Sequence, residues 1–205
     1  MDALVLAFDR AIRTLSGSAQ ARRTNPSAHL DVPQLSDAER KESIALMRVN
    51  HAGEVAAQAL YQGQRLTAKT REIQEKLAHA ADEELDHLAW TRRRLTELGG
   101  RPSLLDPLWY TGAFVIGAVA GSIGDKASLG FLQATEEQVE AHLGAHLNRL
   151  PAKDVASRAI VEQMKQDEAQ HAQTARNLGA ETLPRSLQAL MRVSAKVMTT
   201  AAAKI

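Results

Sequence analysis

Apolar residues recur at steps of three and four along four long stretches of this chain, the spacing that gathers them on one face of an α-helix. The first stripe runs Ile44, Met47, His51, Glu54, Gln58, Tyr61, and the second Ile73, Leu77, Ala80, Glu84, His87, Thr91. The third runs Leu129, Leu132, Glu136, Val139, Leu143, His146, Leu150, and the fourth Val161, Met164, Glu168, His171, Ala175, Leu178. Boundary signals frame them. Ser36-Asp37-Ala38-Glu39 has the form of a capping box and starts a helix expected to end near Ala68. A second helix is expected over 71–98, before Gly99-Gly100; others are expected over 125–150, before Pro151, and over 152–178, before Gly179. No alternating β-branched run occurs, so the expected fold is all-α. Gly53 and Gly63 interrupt the first helix, each costing about 1 kcal/mol relative to Ala. With Ala52, Ala56, Ala57 and Ala59 around them, they predict that another helix passes close by. Residues 1–35 divide from the rest: a short amphipathic helix beginning at Met1, then a Ser-, Gly- and Pro-containing linker from Ser16 to Leu35. Residues 36–205 form the helical domain, closed by a weaker helix over 184–205.

In each of the four stripes a glutamate stands where an apolar residue is expected, and in two of them a histidine follows three positions later: Glu84–His87 and Glu168–His171. A buried carboxylate must be protonated, paired or metal-bound, and the stripes supply no Lys or Arg for four of them. The set has internal order. Glu54 and Glu84 lie 30 positions apart, Glu136 and Glu168 lie 32 apart, and each half is a lone-Glu helix followed by a Glu-x-x-His helix. Two such antiparallel pairs packed face to face make a ferritin-like four-helix bundle in which Glu54, Glu84, His87, Glu136, Glu168 and His171 converge as ligands of a di-iron centre. With 7 His in 205 residues, chance alone supplies roughly half a Glu-x-x-His pair, so the weight rests on the repeat and the stripes rather than on either motif.

Composition narrows the partners. A net charge of +1 with no basic run argues against nucleic acid. The absence of cysteine removes disulfides, thiolate metal sites and iron–sulfur clusters. The start of the chain, with acids flanking a short apolar run, does not read as a signal peptide. Asp167 and Glu83 each precede a stripe glutamate; a carboxylate there could reach across the bundle to the other half's histidine and fix its tautomer, or simply face solvent. His51 and His142 lie near ligand positions and are candidates for proton transfer or for plain packing.

Residues 107–124 carry no charge and begin with Trp109 and Tyr110 close together. Such a segment is expected either to pack as a buried crossover helix or, as the favoured reading, to lie at a membrane interface with the two aromatics at headgroup level.

Arg48-Val49-Asn50-His51-Ala52-Gly53-Glu54, Leu60-Tyr61-Gln62-Gly63-Gln64, Asp82-Glu83-Glu84-Leu85-Asp86-His87-Leu88, Arg101-Pro102-Ser103, Ala134-Thr135-Glu136-Glu137 and Asp167-Glu168-x-x-His171 together resemble the signature of the Coq7 (demethoxyubiquinone hydroxylase) family, in its bacterial branch. Val55 and Leu143 depart from the tyrosines of many relatives; neither is a ligand position. The resemblance implies a monooxygenase that uses O2 and two electrons to hydroxylate 2-polyprenyl-3-methyl-6-methoxy-1,4-benzoquinol in ubiquinone biosynthesis. It implies two iron ions per chain, Glu54, Glu84 and His87 favouring one and Glu136, Glu168 and His171 the other, with Glu84 and Glu168 bridging. No catalytic residue beyond these ligands is assigned, and Ala52, Gly53 and Ala56 are expected to leave room for the substrate ring. The polyprenyl tail places the substrate in the bilayer, so the chain is expected at the surface of the cell (inner) membrane on its cytoplasmic face. Other ubiquinone-biosynthesis proteins and further copies of the chain are the partners to consider. On the residues alone, a ferritin- or rubrerythrin-like protein handling iron or peroxide would use the same ligands, and a metal-free scaffold would use none.

Overall fold

The computed structural model describes residues 3–205, which form seven α-helices and no strand: α1 (Ala3–Ser16), α2 (Asp37–Thr67), α3 (Arg71–Glu97), α4 (Asp106–Ile123), α5 (Asp125–Arg149), α6 (Val155–Asn177) and α7 (Arg185–Ala202). The expectation that the first helix begins at Met1 falls on Met1 and Asp2, which lie outside the described residues. The long helices start and stop where local chemistry directs. Ser36 and Glu39 form the capping box reciprocally, Ser36 Oγ accepting from the Glu39 amide at 3.3 Å and Glu39 Oε2 from the Ser36 amide at 2.8 Å. Gly99 and Gly179, at φ +75° and +91°, take the left-handed conformation that ends α3 and α6. Asp154 caps α6, accepting from the Ser157 amide at 3.0 Å. The same Asp154 meets Arg94 near the end of α3 at 2.8 Å, and both are buried.

Helices α2, α3, α5 and α6 form the bundle. The turn at 68–70 folds α3 back on α2, and the Arg94–Asp154 pair sets the end of α3 against the start of α6. Helices α3 and α5 therefore run in the same direction, and the chain must travel back between them. Helix α4 makes that return alongside α2, and Asp125 at the start of α5 closes it, accepting from the amides of Lys69 and Thr70 at 2.8 and 3.0 Å. Two apolar clusters fill the ends of the bundle. One gathers Leu46, Met47, Trp90, Leu95, Leu143 and Met164; the other Tyr61, Leu77, Ala81, Leu129, Leu132 and Ala175. The glutamates and histidines of the four stripes lie between them.

The close approach predicted at Gly63 is real and its partner is α4. A Cβ on Gly63 would stand 2.3 Å from the Phe114 carbonyl oxygen, and one on Gly117 2.2 Å from that of Leu60. Gly53 instead faces open space, where a Cβ would meet no heavy atom within 4 Å. Among the described residues no helix is long and apolar enough to cross a membrane. Helix α4 packs through Tyr110, Gly117, Ala120 and Gly121 and turns Leu108, Val115, Val119 and Ile123 to solvent. The two aromatics, expected to be exposed together, both pack against the protein. Tyr110 is buried, its hydroxyl donating to Gln62 Oε1 at 2.6 Å, and Trp109 packs beside Ala202 and Ala203 at the end of α7.

Candidate metal centre

Glu54 on α2, Glu84 and His87 on α3, Glu136 on α5, and Glu168 and His171 on α6 meet in the middle of the bundle, none more than 8% exposed. Each comes from the apolar stripe of its helix, so the periodicity that buries the apolar positions also delivers these six. They fall into two overlapping groups. Ligand atoms of Glu54, Glu84, His87 and Glu168 lie within 4.8 Å of one another, as do those of Glu136, Glu168 and His171. Glu168 belongs to both, its oxygens 3.4 Å from His87 Nδ1 and 3.3 Å from His171 Nδ1. Glu84 also touches both rings, at 3.0 Å from His87 Nδ1 and 3.1 Å from His171 Nδ1.

The electrostatics of this cluster are compatible with a bound cation. Burial and the neighbouring Glu84 push the Glu54 carboxyl well above its usual range, and burial and Glu168 do the same to Glu136. Burial acts on Glu84 and Glu168 as well, but contact with the two imidazoles outweighs it and holds both below the ordinary carboxylate value. Burial would lower His87, yet Glu84 and the other carboxylates around it raise it well above normal. Four carboxylates thus draw in whatever positive charge is available, protons included. Glu54 Oε2 is buried with no hydrogen-bond donor in reach, its nearest basic neighbour being His87 Nδ1 at 3.6 Å. Oxygen and imidazole donors in two groups joined by shared carboxylates fit a pair of divalent metal ions.

Both histidines present Nδ1 to the cluster and are held from behind through Nε2, in crossed fashion. His87 Nε2 meets Asp167 of α6 at 2.8 Å, and His171 Nε2 meets Glu83 of α3 at 3.0 Å. Each motif's preceding carboxylate therefore reaches the other half's ring, the first of the two alternatives open in the sequence. Desolvation would raise Asp167, but its contacts with His87 and Arg23 hold it far below the ordinary value; His171 likewise lowers Glu83.

His142 is not among these contacts. Its ring lies 3.9 Å from that of His146, whose Nδ1 meets Asn50 Oδ1 at 2.7 Å. His51 also turns away. Its Nδ1 meets Thr91 Oγ1 at 3.2 Å and its Nε2 lies 3.8 Å from Asp106, while burial and then Arg92 press its pKa down to about 3. Tyr61, Asp86 and Arg23, not proposed as site residues from the sequence, also bear on the site. The buried Tyr61 hydroxyl donates to Glu136 Oε1 at 2.7 Å. Its position seven residues after Glu54 on the same stripe was the signal. Asp86 anchors Arg23 from the linker before α2, at 2.7 Å, and no spacing rule connects residues so far apart.

A family model described as ubiquinone biosynthesis protein COQ7 matches residues 41–202. The chain belongs to the COQ7 family. Two bacterial relatives align with nearly all of it. One from Chromobacterium violaceum is 56% identical over 199 residues, 97% of each chain. One from Nitrosospira multiformis is 57% identical over 199 residues, 97% of this chain and 96% of that one. Both are named 3-demethoxyubiquinol 3-hydroxylase. Among solved structures, a dodecameric thioferritin, the bacterioferritin-related protein of Bacteroides fragilis, superposes with a TM-score of 0.57 at 19% identity, over 75% of this chain and 88% of that one. At that identity the likeness concerns the fold, which is ferritin-like.

Proposed function

We propose that this COQ7-family chain is an oxidoreductase that hydroxylates the ring of 3-demethoxyubiquinol in ubiquinone biosynthesis, as its relatives' names describe for them. The observation that carries the reading is the pair of overlapping ligand groups joined through Glu168, in a chain 56% identical to a hydroxylase over almost its whole length. Glu54, Glu84 and His87 would hold one iron ion and Glu136 and His171, with Glu168, the other, Glu84 and Glu168 touching both sides. Two iron ions so held would supply the redox chemistry by which O2 and two electrons hydroxylate an aromatic ring. The protein's own groups do the rest. Asp167 and Glu83 fix the two imidazoles with Nδ1 inward. Tyr61 orients Glu136 by donating to it. The apolar clusters at both ends of the bundle exclude water from the carboxylates. The open space at Gly53, next to Glu54, is where the substrate ring is expected to approach.

The polyprenyl substrate calls for a membrane surface, and three helices turn apolar side chains outward: Val5, Phe8 and Ile12 on α1, Val115, Val119 and Ile123 on α4, and Leu190, Val193 and Val197 on α7. With no crossing helix among the described residues, the proposed attachment is peripheral. The deciding experiment is the quinone profile of a deletion strain. Accumulation of the demethoxy intermediate, reversed by the wild-type chain but not by Glu168→Ala, supports the proposal. A normal quinone profile in that strain refutes it.

A further inference from the structure

The two crossed carboxylate–histidine contacts are alike in distance but not in what stands behind them. Asp167, behind His87, is itself held by Arg23, whose Nη2 donates to Asp167 Oδ2 at 2.8 Å while its Nε donates to Asp86 Oδ2 at 2.7 Å. The guanidinium carbon sits 4.9 Å above the Trp90 ring, and Trp90 leans on His87 with 5.6 Å between centroids. The backbone of the same segment is tied down as well, the Arg22 amide donating to Asp86 Oδ1 at 2.6 Å. Glu83, behind His171, has no such support. Its other close partner is His79, at 3.3 Å, and among the described residues neither arginine nor lysine pairs with it. Its side chain is 37% exposed against 17% for Asp167. A cavity of about 280 Å³ borders both carboxylates, Glu83 and Asp167 alike, so the difference between them lies in their partners.

We propose that Arg23, carried by the segment that precedes the bundle, is a positioning residue for one metal ion of the pair: it fixes Asp167, which fixes His87, and leaves the His171 side without an equivalent clamp. This rests on the two-metal reading above. Arginine suits the task because its planar fork serves two carboxylates at once and stacks on an indole. The His87 Nε2–H and Arg23 Nη2–H converge on the same Asp167 oxygen, which accounts for the 3.3 Å separation of the two nitrogens. The segment before the bundle thereby gains a function: it completes the outer shell of one ion.

The test is a calorimetric titration of Co2+ into the full-length metal-free chain, with the cobalt absorption bands followed in parallel. The wild type is expected to take up two ions. In Arg23→Gln, one affinity falls about 10- to 100-fold with altered absorption bands for that ion, and the other is unchanged. Arg23→Lys, which keeps the charge but not the fork, falls between. Arg22→Gln, whose side chain among the described residues pairs with the partly exposed Asp82 at 3.0 Å, leaves both steps as in the wild type. Unchanged binding in folded Arg23→Gln overturns the proposal, and so does an equal loss at both steps. Loss of the fold in both Arg23 variants, read by circular dichroism, also overturns it, because Arg23 would then hold the fold rather than one ion. A wild-type chain that binds no Co2+ refutes the metal reading itself.

Discussion

Tyr61 and Glu168 carry the sharpest expectations at the scale of single residues. The Tyr61 hydroxyl is buried against Glu136, and burial followed by that carboxylate raises its pKa well above the normal value, so it remains a donor at any physiological pH. Tyr61→Phe removes the donor and leaves a buried acceptor, at a stability cost of about 1–3 kcal/mol in urea denaturation. Quinol hydroxylation is expected to fall about 10-fold, the scale of a lost contact behind a metal ligand. Glu168→Gln goes further, since Glu168 belongs to both ligand groups; elemental analysis is expected to find less than half the wild-type metal. Asp106 gives a pH signature away from the ligands. Burial raises its carboxyl from 3.8 to about 6, partly opposed by Arg92, and the nearby His51 is neutral in this range. Between those two values the folded chain binds more protons than the unfolded one, so this group's contribution to stability falls as pH rises through that window. Asp106→Asn is therefore expected to be more stable than the wild type above pH 6 and to lose the advantage toward pH 4, as measured by urea midpoints across the range. A difference independent of pH would contradict the assignment.

Helix α4 concentrates the predictions at the scale of elements. The structure separates the glycines of α4 that packing requires from those it does not. A side chain at Gly117 meets the Leu60 backbone oxygen, which has no rotamer to yield. Gly117→Val is therefore expected to destabilise by about 1–3 kcal/mol or more. Gly112, on the same helix, has nothing within 4 Å of a Cβ. Gly112→Ala is expected to stabilise by about 1 kcal/mol, the intrinsic helix preference. Thermal midpoints moving in opposite directions would establish that α4 is held to α2 by close backbone approach. The capping box and glycine stops were readable because they are local, each signal and its effect lying within one helical turn. The inward turn of Tyr110 was not readable, because an uncharged segment shows which residues are apolar but not which of its faces meets a neighbour.

For the whole molecule, the apolar edges of α1, α4 and α7 predict reversible attachment to bilayers. A Val115→Asp, Val119→Asp double variant is expected to lose co-sedimentation with phospholipid vesicles while keeping its metal content, since both side chains point to solvent. Retained sedimentation would place attachment elsewhere. By itself, the sequence determined the all-α class, the four helices and the six residues that meet between them. Helical periodicity is a local rule, and the 30- and 32-residue repeats of Glu54–Glu84 and Glu136–Glu168 bring equivalent turns to the same level of the bundle. It left open whether Asp167 and Glu83 reach the histidines or face water, and it gave no sign that Arg23 would close over one of them. Those outcomes depend on which helices become neighbours and how a linker drapes across them. They are settled by long-range packing: Asp86 holds Arg23 across 63 positions of sequence and His87 meets Asp167 across 80, separations over which no local pattern carries information.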